Sequence, residues 1–167
     1  MGDNKNMKKL LQAAEQCLIL GDNLNAEIIS RQVIEVNPDN PEAYYFLGEA
    51  LCKQEKFQES VNSLKRANKL LPDHPRIIHL LGWVIFMNGD ASLGRKLIKQ
   101  ALEKIPQDAQ ILCDLAILET RQGNGKKAKE YALKAYEVNP NNPETQEVFM
   151  KVVSFDKERT RLFRKAN

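Results

Sequence analysis

Long apolar runs are missing from this chain of 167 residues. The nearest approach, Ile77 to Met87, is interrupted by His79 and falls short of the ~20 residues that a membrane span needs. Cysteine is scarce: Cys17, Cys52 and Cys113 stand far apart, with no CxxC. An odd count without paired spacing excludes a disulfide framework and a zinc knuckle. Charge of one sign is also missing. There are 25 Lys plus Arg against 22 Asp plus Glu, a net of +3. Most of the chain lacks the basic clusters that a phosphate backbone attracts. The opening MGDNKNMKKLLQAAEQ has no apolar stretch before a small-residue cleavage site, so no export signal is expected. Asn6 breaks the myristoylation pattern that Gly2 would start. A reduced, cytoplasmic location with unpaired thiols is the expectation.

The patterns of catalysis are absent as well. The chain has no Gly-rich phosphate loop, GxSxG or HExxH. His74 and His79 are the only histidines, and a spacing of five sets them on different helix faces. His74, between Asp73 and Pro75, reads as a helix cap rather than a metal ligand. Gly123-Asn124-Gly125-Lys126-Lys127 falls where a turn is needed. These absences predict a protein that is not an enzyme and uses no cofactor or metal.

What is present is a period. Pro38, Pro72, Pro106 and Pro140 are each 34 residues apart, with the lead-ins IEVNP, NKLLP, EKIP and YEVNP. Cutting in that phase gives four units, 7–40, 41–74, 75–108 and 109–142, and a remainder, 143–167. Each first half carries an i, i+3, i+4, i+7 stripe of mostly apolar or small residues: Leu10, Ala13, Ala14, Cys17; Tyr44, Leu47, Gly48, Leu51; Ile78, Leu81, Gly82, Ile85; and Leu112, Leu115, Ala116, Glu119. The second halves continue it, as in Ala26, Ser30, Val33 and Ala128, Ala132, Ala135. That spacing predicts paired amphipathic helices, and no stretch alternates as a strand would.

Two columns are small in every unit: Ala14, Gly48, Gly82, Ala116 and Ala26, Ser60, Gly94, Ala128. A glycine inside a helix costs ~1 kcal/mol, so its recurrence predicts close helix crossings. Asn40-Pro41-Glu42 and Asn142-Pro143-Glu144 read as N-cap, first-turn proline and favourable acid. Gly21, Gly89 and Gly123 suit left-handed turns between paired helices, and the second unit departs with Glu55-Lys56.

A 34-residue helix–turn–helix with Tyr44-x2-Leu47-Gly48-x2-Leu51, Ser60-x3-Leu64, Ala67 and Pro72 resembles the tetratricopeptide repeat (TPR) family. The resemblance covers residues 7–142, and Ser30 and Glu119 depart from it in slots that usually hold larger apolar residues. It implies an all-α, right-handed α-α superhelix, one domain long, with 143–167 as a C-terminal capping helix and basic tail. Phe155, Leu162 and Phe163 would face inward from that cap, and Lys157, Arg159, Arg161, Arg164 and Lys165 outward.

In such a stack the first helices line a concave groove. Helical phase assigns to it Leu11, Tyr45, His79 and Cys113 in one column and Glu15, Glu49, Trp83 and Ile117 in the next, with Arg76 and Phe86 flanking. An apolar, aromatic centre rimmed by charge suits a peptide or helix of a partner protein. Trp83 and Phe86 have a second reading, as core residues packed on the neighbouring helix. The family's clamp for acidic Hsp70 or Hsp90 chaperone C-termini would occupy Leu11, Glu15, Phe46, Arg76 and Leu80, where only Arg76 could grip a carboxylate. The expected function is therefore a protein-binding adaptor, in complex assembly or as a secretion-type chaperone. The alternatives are a self-associating scaffold and, third, single-stranded RNA binding by Tyr45 and Trp83, which Glu15, Glu42 and Glu49 oppose.

Overall fold

The computed structural model describes residues 2–153. Eight helices follow one another: α1 (Gly2–Ile19), α2 (Asn23–Val36), α3 (Pro41–Lys53), α4 (Phe57–Leu70), α5 (Pro75–Met87), α6 (Ala91–Lys104), α7 (Ala109–Arg121) and α8 (Gly125–Val138). A ninth, α9, runs over 143–153. No strand occurs among the described residues, so the all-α class expected from the periodicity is the one observed. The inward and basic residues assigned to the tail, from Phe155 onward, lie outside the described residues.

Local chemistry sets the helix ends. Asn40 accepts from the Ala43 N–H at 2.8 Å and Asp108 from the Ile111 N–H at 3.0 Å, each satisfying an otherwise orphaned donor. Pro41 and Pro75 open α3 and α5, where a missing N–H costs nothing. His74 holds the N-cap position of α5, yet its side chain makes no cap bond and its buried Nδ1 has no partner. The side-chain cap read from the sequence is therefore not formed. Between paired helices the chain turns through positive φ at Gly21 (77°), Gly89 (105°) and Gly123 (74°). Glu55 makes the same turn at φ 60°, a conformation that costs an L-residue roughly 1–2 kcal/mol.

The chain divides into two compact units, one up to Gly94 and one from Arg95. In the first, α1 packs on α2 and α3, and α3 packs on α4 and α5. One core cluster joins Leu11, Ala14, Val33, Ala43 and Phe46. The small-residue columns are where helices meet. A Cβ on Gly48 would stand 2.5 Å from Leu64 Cγ, and the Ser60 hydroxyl donates to the Gly48 carbonyl at 2.5 Å. A Cβ on Gly94 would stand 2.7 Å from the Gly82 carbonyl oxygen. Glu27 ties α2 to the α3–α4 turn, accepting from Arg31 at 2.8 Å and Gln54 at 2.9 Å and pairing with Lys56 at 3.3 Å. Ser30 is buried and its hydroxyl has no partner.

In the second unit α7, α8 and α9 enclose Leu112, Cys113, Ala116, Ala128, Ala132, Ala135, Val148 and Val152. Tyr136 stacks on Phe149 with ring centroids 5.1 Å apart. Glu119, the charge in an apolar slot, is wholly buried. Arg95 approaches both of its carboxylate oxygens, at 3.1 and 3.2 Å, and the Asn124 amide donates to it at 2.6 Å. The departure from the repeat pattern is thus a paired buried charge, which is tolerated when its partners are in place.

Candidate peptide-binding surface

Within the first unit, α1, α3 and α5 border a cleft of about 270 Å³. Glu15 on α1 and Glu42 on α3 supply its acidic side, and Arg76 on α5 its basic side. Tyr45 and Phe46 line it, with Leu71, His74 and Ile77 from the α4–α5 connection and the start of α5. Glu15, Glu42 and Arg76 are exposed, Tyr45 is half-buried and Phe46 is buried. The helical phase that sets Glu15 and Tyr45 on one side also turns Phe46 inward, one residue and ~100° further on.

Tyr45 is the centre of this arrangement. The Arg76 guanidinium lies 5.4 Å from its ring centroid, within cation–π range. Its ring also meets that of Phe46 edge-on at 5.7 Å. Burial pushes the Tyr45 phenol up to about 12; the Glu49 charge adds to the rise, and Arg76 opposes it. The phenol is therefore a neutral hydrogen-bonding group at physiological pH, and the charged side chains lining the cleft are Glu15 and Glu42 against Arg76.

The other residues singled out in the sequence are distributed as follows. His79 and Glu49 are half-buried on α5 and α3. Trp83 is half-buried, its ring 5.6 Å from that of Phe86 and tilted by 48°. Leu11 and Phe86 are each only 8% exposed, so they present almost no surface to a ligand. In the second unit Cys113 is wholly buried in the α7–α9 core and Ile117 packs against it. Burial pushes the Cys113 thiol up to about 12, with the negative charges of Glu144, Asp114 and Asp108 adding to the rise. Sequence periodicity does not reveal Leu71, His74 and Ile77 as cleft residues. They flank the helix start at Pro75, in a connection whose periodic prolines mark the turn but not which side chains face the cleft.

Among the described residues no group of His, Cys, Asp and Glu side chains is placed to hold a metal ion. No helix there is long and apolar enough to cross a membrane.

Two Tetratricopeptide repeat models match, over residues 18–84 and 109–142, together well over half of the chain. The chain belongs to the tetratricopeptide repeat family. TPR folds are general protein–protein interaction modules. Among TPR relatives, the mouse interferon-induced protein with tetratricopeptide repeats 3 is 30% identical over 125 residues, which are 73% of this chain and 31% of that protein. The chain spans less than a third of the length of the curated relatives it matches. Solved structures share the fold, and two of them illustrate it. A thermophilic TPR protein of Thermus thermophilus superimposes with a TM-score of 0.78 at 20% identity, over 88% of this chain and 81% of that one. The anaphase-promoting-complex hetero-tetramer Cut9–Hcn1 gives 0.78 at 15% identity, over 86% of this chain and 29% of that one.

Proposed function

We propose that this TPR protein is a non-enzymatic, cytoplasmic adaptor that binds an extended or helical segment of a partner protein across α1, α3 and α5. The observation that carries the reading is the cleft itself: an aromatic floor at Tyr45 and Phe46 between two exposed carboxylates and one guanidinium. A pocket with an apolar floor and a few convergent polar groups suits an anchoring side chain. The charge balance at the cleft, Glu15 and Glu42 against an Arg76 already engaged with Tyr45, favours a segment with a Lys or Arg beside an apolar anchor. The same balance repels an acidic chaperone C-terminus and a nucleic-acid strand. A structural neighbour named as part of a hetero-tetrameric assembly accords with a role in complex assembly.

Selection of random peptides on the immobilised protein tests this. Peptides with a basic residue next to a bulky apolar one should be enriched. Their affinity should fall ~10-fold or more in Glu42→Lys, the weight of ~1.4 kcal/mol. Enrichment of acidic peptides, or equal binding to the charge-reversed protein, would refute the reading.

A further inference from the structure

The repeats of this chain serve as controls for one another, and one slot on the second helices differs in size. Positions 34 residues apart hold Ile29, Ser63, Leu97 and Tyr131. Ile29, Leu97 and Tyr131 are half-buried, and Ile29 and Tyr131 each pack against the core cluster of their own unit. In the second repeat serine stands in place of that bulky apolar side chain. A pocket of about 380 Å³ opens there between α2, α3 and α4, with Ser63 in its wall. Ile34, Tyr44 and Leu47 form its apolar floor. Tyr44 and Leu47 line this pocket, whereas Tyr45 and Phe46 line the cleft. The two sites therefore share no residue and lie on different faces of α3.

The polar groups around the pocket are unequally engaged. Arg31, in its wall, donates through Nε and Nη2 to Glu27 at 3.0 and 2.8 Å. Arg66, whose guanidinium lies 5.9 Å from the Tyr44 ring centroid, donates to Asp39 at 2.9 Å. Both cations thus have a carboxylate of their own. Glu35, Asn62 and Ser63 also line the pocket, and among the described residues no side-chain hydrogen bond or ion pair engages them. A carboxylate, an amide oxygen and a hydroxyl are three acceptors, and an ammonium has three donors. The uncompensated charge is that of Glu35, which selects a cation. An apolar floor with a few polar groups, in a volume of ~300–1,000 Å³, is the form of a small-molecule site. We infer that this pocket binds a small organic amine. The compact apolar body of the ligand takes the space that Ser63 leaves, and its ammonium sits among Glu35, Asn62 and Ser63.

Phenethylamine titrated into the full chain, followed by backbone chemical shifts, reads the outcome. Amides around Glu35, Leu47, Asn62 and Ser63 should shift saturably, with a Kd of ~1–10 mM for a ligand of that size. Phenylacetate, similar in size and opposite in charge, should leave them unmoved. Two variants carry residues that the same slots hold elsewhere in the chain. Ser63→Leu, as at Leu97, fills the space, and Glu35→Lys, as at Lys69, reverses the charge. Each should weaken phenethylamine binding at least ~10-fold. Glu35 is exposed, so Glu35→Lys leaves the helical spectrum unchanged and reads the site independently of packing at Ser63. Glu42→Lys, at the cleft, should leave the affinity as it was. Nα-acetyl-lysinamide, an ammonium without the compact apolar body, should bind at least ~10-fold more weakly than phenethylamine. Equal binding of the two would assign the acceptors to a lysine of a partner protein and overturn the inference. Shifts confined to the cleft, a response that does not saturate by ~50 mM, or full affinity in Glu35→Lys would overturn it equally.

Discussion

Replacing Arg95 by alanine isolates the buried ion pair of the second unit. Glu119 is wholly enclosed, and three groups approach its carboxylate: Arg95 Nε and Nη2 and the Asn124 amide. The Nε approach is an ion contact without a well-aligned hydrogen bond, so the directed contacts on the carboxylate are those from Arg95 Nη2 and the Asn124 amide. Removing one partner of a buried pair costs ~3–5 kcal/mol, because the surviving charge is left uncompensated. Two features reduce that figure here: the Arg95 side chain is 29% exposed, which lets water toward the site, and Asn124 still donates. The expected loss is ~2–3 kcal/mol, or a fall of ~5–10 °C in Tm for a chain of this size. Urea unfolding followed by circular dichroism measures it. The double substitution Arg95→Leu, Glu119→Leu should recover most of the loss, since an apolar pair of similar volume also satisfies the site. If Arg95→Ala stays within ~0.5 kcal/mol of the parent protein, Glu119 is not held by Arg95 and the account of that slot is wrong.

Three further outcomes follow from the same structure. Glu55→Gly should raise stability by ~0.5–1 kcal/mol in a denaturant titration, because glycine adopts φ 60° without strain. At Glu27 burial alone would raise the carboxyl, but hydrogen bonds from Arg31, Gln54 and Lys56 and the Lys56 charge outweigh it and hold it below its ordinary 4.5. That contribution is present above pH 4.5 and fades as pH falls through the folded value, so Glu27→Gln should flatten the acid limb of a stability–pH curve. Cys113, buried and with its thiol pushed up to about 12, should resist a thiol reagent that labels the half-buried Cys17 and Cys52; labelling of all three at one rate would contradict the packing of α7.

Much of this fold is written in the sequence because repetition averages out local ambiguity. Four prolines in phase fix the unit length, and glycine or alanine recurs where two helix backbones touch, as Gly94 does against the Gly82 carbonyl. Single positions are harder to read. Leu11 shares a repeat slot with the half-buried Tyr45 but is buried among Ala14, Val33, Ala43 and Phe46. Slot assigns a direction along the helix face, whereas exposure depends on which neighbours reach across it. Glu119 was visible only as an anomaly, because its partner Arg95 lies on another helix and 24 residues away. His74 sits at a cap position with no cap bond, a matter of rotamer that residue type does not determine.

The central claim is that a partner segment lies across α1, α3 and α5. Backbone and indole chemical shifts, recorded before and after saturation with a selected basic–apolar peptide, test it most directly. Trp83 is the only tryptophan, so its indole N–H gives one unambiguous signal from α5. The account predicts that the shifted amides gather around Glu15, Glu42, Tyr45 and Arg76, with the Trp83 indole among them. Shifts confined to α2 and α4, with those positions and the indole unmoved, would contradict it.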